Sequence, residues 1–146
     1  MISKIRIIGG FFVFIIMFLL FSYIPLNLQD ILKKFLPIQI INEIVPIVNQ
    51  ILHPFLPIIG ALLAIFVALG IILKKTKLYG LIIIISSILW LCYIYFALNG
   101  GYIKIIHSML SINIDLKFFM LIIFIPIILD LIKGVLIIIK SSELKI

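Results

Sequence analysis

Asp130 and Lys133 are opposite charges inside an otherwise apolar stretch, residues 118–139, and their spacing of three places both on one face of a helix. A charge near the middle of a bilayer costs roughly 2.5–3.5 kcal/mol on insertion scales, so such a pair is expected to face the interior of a helix bundle. Lys133 neutralises Asp130 while its long stem reaches toward head groups, which makes the pair a structural pin. Two other readings stay open. Asp130 could serve proton or cation coupling, or the helix could end at Leu129 and leave 131–139 lying along the membrane.

Counting about 1.5 Å per residue, Asp130 lies about 13 Å from the inner end of its segment, and Ser86 and Ser87 lie about 12–13 Å from the inner end of the preceding one. The shared depth predicts that one of the serines approaches Asp130. Pro126, one turn earlier, frees the Ile122 carbonyl and is expected to bend the helix there. Gly60, Ala64 and Ala68 recur every four residues, a small-residue face that lets a neighbouring helix come close. Ser86, Trp90, Tyr93 and Ala97 form another stripe, of the kind that packs a bundle.

Other chemistry finds few residues. His53 and His107 are the only histidines, and no ligand spacing accompanies them, so no metal or other cofactor is expected; His53 beside Pro54 reads as a cap. Cys92 has no partner for a disulfide and reads as a small core residue. A phosphate-binding glycine loop, an HExxH motif and a GxSxG elbow are all absent, and the five acids are scattered, so the expectation is a protein that is not an enzyme.

The elements that must hold these residues follow from composition. Of 146 residues 66% are hydrophobic and 12% charged, against roughly 25% charged in soluble domains. Too few polar residues remain to cover a water-facing surface, so lipid is the expected outer solvent. The net charge of +7 sits at the ends of apolar runs, where Lys and Arg orient helices and meet head groups; no nucleic-acid partner is expected.

Four segments are long and apolar enough to cross about 30 Å of hydrocarbon: 7–24, 55–73, 78–98 and 118–139. They predict an all-α fold, a single membrane domain made of a four-transmembrane-helix bundle. The first segment follows a basic start, yet it is long and ends at Pro25 without a small-residue cleavage site, so it reads as a retained anchor. Lys4, Arg6, Lys74, Lys75, Lys77, Lys140 and Lys145 share one side, and Lys33, Lys34, Lys104 and Lys117 the other. That imbalance places both termini in the cytoplasm, in the cell membrane. Tyr79, at the inner end of its span, and Tyr23, Tyr93 and Tyr95, toward the outer ends of theirs, fit the interfacial aromatic belts.

Between the first two spans, 27–52 holds two amphipathic pieces expected to lie in the outer interface. Asn27 would cap the first and Pro37 stop it; Pro46 would bend the second. A fifth span or re-entrant hairpin over 36–52, turning at His53 and Pro54, is the competing placement, opposed by Glu43 and the amides beside it. In the outer loop 99–117, Asn99, Gly100 and Gly101 signal a helix end. Ile103, Ile106, Met109 and Leu110 suggest a short surface helix, and 111–117 an extended lead-in capped by Asp115. The function expected from all this is that of an accessory or self-associating subunit of a membrane complex, in contact with membrane lipid and other membrane subunits. The alternative is a minimal oligomeric channel or transporter for a cation or proton, using Asp130.

Overall fold

Pro25 does not end the first helix. In the computed structural model, which describes residues 3–74, 76, 78–107 and 110–143, one helix runs from Lys4 to Phe35. It comprises α1 (Lys4–Phe18), a π-helical turn (Leu19–Tyr23) and α2 (Ile24–Phe35). Proline lacks the N–H that would bond the carbonyl four residues back, here that of Phe21. The π turn widens the backbone just before it, with the Ile24 N–H bonding the Leu19 carbonyl, and the chain passes Pro25 without breaking. Asn27 is therefore not a cap: inside the helix, its amide donates to the Tyr23 carbonyl at 2.9 Å. The 32 residues measure about 48 Å, longer than the hydrocarbon core of a bilayer.

The helix stops at Leu36, which is extended ahead of Pro37, as a residue before proline prefers. A second amphipathic helix, α3 (Ile38–Ile51), contains Pro46 without interruption and exposes Gln39, Asn42, Glu43, Asn49 and Gln50. It meets α4 (Leu56–Ile72) at 64°. After α4 the chain turns through Thr76, whose hydroxyl donates to the Leu73 carbonyl at 2.9 Å, into α5 (Tyr79–Ala97). The last helix is α6 (Lys117–Glu143). The sequence expectations for Lys75, Lys77, Met109 and Lys145 fall outside the described residues, as does the side chain of His107.

The expected surface helix after Gly101 is a strand instead. β1 (Tyr102–His107) pairs antiparallel with β2 (Leu110–Asp115), joining Ile103 to Ile114 and Ile105 to Ile112. A lone strand at 111–115 has nothing to pair with, but residues 102–105 alternate as well: Tyr102 and Lys104 are exposed while Ile103 and Ile105 are half-buried. They supply the missing partner. A two-stranded hairpin is marginal by itself, and this one packs on α3 through β1. Positive φ at Asn99, Gly100 and Gly101 makes the tight exit from α5. The Asp115 carboxylate accepts the Lys117 N–H at 3.0 Å at the start of α6.

The fold is mostly helical. Three helices are long and apolar enough to cross a membrane, or four if α3 and α4 form one bent span, consistent with a multi-pass membrane protein. The packing is serial: α1 lies on α4, α4 on α5 and α5 on α6, while among the described residues no comparable packing joins α1 to α6. Among the described residues the buried apolar side chains are few, and Leu56, Leu63, Ala64 and Ala68 all lie on α4.

Small residues decide these approaches. A methyl group at Gly60 would land on the Phe21 carbonyl, and one at Gly10 would meet the Ala68 carbonyl at 3.1 Å. The face Gly60, Ala64 and Ala68 is thus buried against the first helix. Phe21 reaches past it to α5, its ring 5.2 Å edge-on from Trp90 and 5.2 Å from Tyr93.

Candidate functional site: a polar groove between α5 and α6

Gly80 and Gly134 set the separation of α5 and α6. A Cβ at Gly80 would lie 2.8 Å from the Gly134 carbonyl, and one at Gly134 would lie 3.0 Å from the Gly80 carbonyl. Backbones this close leave no room for side chains between them, and the two helices cross there in antiparallel order. One to two turns further on, the register brings Asp130 of α6 level with Ser86 and Ser87 of α5.

Beyond the crossing the helices part and enclose a groove of about 470 Å³. Tyr79, Ser86, Ser87, Trp90, Asp130 and Lys133 supply its polar and aromatic walls, with Pro126 beside them. Asp130 lies about 20 Å along α6 from Lys117 and about 15 Å from Lys140, close to mid-span. Its carboxylate is 3.9 Å from the Lys133 ammonium, a loose ion pair along one helix face.

The pair does not face a dry interior, contrary to the expectation from burial cost. The Lys133 and Asp130 side chains are 60% and 64% exposed and stand on the open side of the groove. The reason is the serial packing: among the described residues α6 has α5 on one flank and no helix on the other, so a polar face can be open even on a central turn. The two serines line the same groove but do not bond the carboxylate. Ser86 donates to the Ile83 carbonyl at 3.0 Å, within its own helix, and Ser87 is buried. A helix ending at Leu129 is ruled out, because α6 continues to Glu143; it also runs through Pro126.

The remaining candidates have structural surroundings. Trp90 and Tyr93 pack against Phe21. The His53 ring lies 4.4 Å from the Phe96 ring, tilted by 40°, and accepts the Phe55 N–H at 3.4 Å, tying the start of α4 to the end of α5. Cys92 is a half-buried free thiol in α5, on a separate apolar groove with Tyr95 and Phe124. No three His, Cys, Asp or Glu residues come together among the described residues.

Sequence reasoning missed Gly80 and Gly134. Their signal was present, since two glycines near the shared end of adjacent antiparallel helices can meet, but each stands alone in its helix without a small-residue repeat. No protein-family model, curated protein or solved structure matches this chain.

Proposed function

We propose that this chain is a non-enzymatic, membrane-embedded subunit whose groove between α5 and α6 is closed by a helix from another membrane chain. One observation carries the reading: an ion pair near mid-span with both side chains exposed. Left facing lipid, each charge costs roughly 2.5–3.5 kcal/mol; a helix laid over the groove removes that exposure and gives the polar walls a partner. In this reading all four segments cross the cell membrane, α3 lies in the outer interface at its angle to α4, and both termini are cytoplasmic, as the excess of Lys and Arg on that side favours.

A photoreactive amino acid at Ile127, which lines the groove, tests it in intact membranes. A protein adduct is expected. Adducts to lipid alone overturn the reading.

A second reading takes support from the same groove. It joins Asp130 to Ser86 and Ser87 at one depth, and a carboxylate with hydroxyl neighbours in an open cleft is a minimal stopping point for a cation or proton. The polar supply is thin for transport, because the groove walls beyond Trp90 are Ile94 and Ile123.

A further inference from the structure

We infer that the helix closing the groove is α6 of a second copy of this chain, with Asp130 of each copy meeting Lys133 of the other. The inference rests on the subunit reading and names its partner. Phe119, Ile122, Pro126, Leu129, Lys133 and Leu136 recur at alternating spacings of three and four, and every one of them is exposed. That is the seam of a left-handed helix pair, with Ile122, Leu129 and Leu136 one heptad apart. On α6 the flank carrying Gly134 is taken by α5, so this seam is the side left open.

The charges select the partner. Two copies inserted the same way round are related by a two-fold axis along the membrane normal, and contacts across such an axis are reciprocal. Opposite charges one turn apart are then self-complementary: each Asp130 comes beside the other copy's Lys133, and the four groups close into a neutral ring. The ion pair within one copy leaves capacity for this, since at 3.9 Å it is loose and, among the described residues, neither group bonds any other side chain. An ammonium has three donors and a carboxylate about four acceptor positions. A foreign helix would need its own pair of charges in matching register; a second copy carries them already.

Two differently tagged variants test the ring. Asp130→Lys places two cations on the seam, and Lys133→Asp places two anions. Each variant alone is expected to lose self-association, with copurification of the two tags at least tenfold below wild type. Expressed together, the variants are expected to pair at the wild-type level, because every contact across the axis is again opposite in sign. Self-association of either variant at the wild-type level, or failure of the mixed pair, overturns the inference.

Oxidative cross-linking of the otherwise unaltered seam guards against misfolded variants. In a Cys92→Ser background, Leu129→Cys is expected to give a product of twice the chain mass in native membranes, and Val135→Cys, exposed on the far face of α6, is not. No product at Leu129, or equal products at both positions, overturns the inference. If Ile127 captures a different chain while these experiments fail, the subunit reading stands and the self-pairing does not.

Discussion

The backbone carbonyl of Phe21 rests against the α-carbon of Gly60, at the point where the π turn of the first helix crosses α4. The proline four residues on cannot offer that carbonyl an N–H, and the glycine lets it approach a neighbouring helix instead. The phenyl ring of the same residue then continues across to Trp90 and Tyr93 of α5, so one residue links three helices.

Gly60→Ala should therefore destabilise the fold by about 1–3 kcal/mol or more, since backbone rather than a flexible side chain occupies the space. Gly9→Ala is the control: nothing lies within 4 Å of a Cβ there, so no loss is expected and the helix gains up to about 1 kcal/mol. Thermal melts of both variants in detergent, compared with wild type, check the contrast.

The crossing of Gly80 and Gly134 is a single contact seen from two sides. Gly80→Ala and Gly134→Ala should each lower stability by about 1–3 kcal/mol. Once the helices have been pushed apart, the second methyl costs less, so the double variant should fall short of the sum. A double-mutant cycle from the same melts measures the shortfall; strict additivity would mean that the two glycines do not share a contact.

For Asp130 the two functional readings part. Under the subunit reading, proteoliposomes loaded with a pH-sensitive or cation-sensitive dye show no flux above empty vesicles for wild type or for Asp130→Asn. Flux in the wild type that Asp130→Asn lowers by tenfold or more would install the transport reading in its place.

The hairpin depends on its seat on α3. Ile105→Lys puts a charge on the half-buried face of β1 and should speed hydrogen exchange at the amides of β1 and β2 by at least tenfold, with α5 and α6 unaffected. Unchanged exchange in the hairpin would show that its pairing does not need that face.

Orientation is open to direct labelling. In a Cys92→Ser background, Thr76→Cys in the turn after α4 should resist an impermeant maleimide in intact cells and react after permeabilisation. Reaction in intact cells would reverse the assignment of sides.

Much of the helical architecture was legible because its signal is local. Uninterrupted apolar runs locate α4 and α5 within a residue at each end and α6 within four, since a bilayer demands length and apolarity of each segment separately. Pro37 ended α2 as a proline should. Pro25 misled, because whether a proline breaks a helix depends on the turn before it, and a π turn leaves no mark in the pattern of side chains. The strand at 102–107 was misread for a related reason: Ile103, Ile106 and Leu110 satisfy a helical spacing while Ile103 and Ile105 satisfy a strand's, and only the pairing with 110–115 chooses between them.

At the groove, the sequence alone determined the chemistry and the depth: two opposite charges one turn apart in a long apolar helix, and two serines level with them, follow from residue type and helical rise. The direction in which that face points was a matter for tertiary structure. Exposure depends on how many neighbours a helix has, and the serial packing gives α6 one flanking helix where a closed bundle would give it two. The glycine crossing that opens the groove belongs to two segments more than fifty residues apart, and an approach of backbone to backbone is encoded in neither segment by itself.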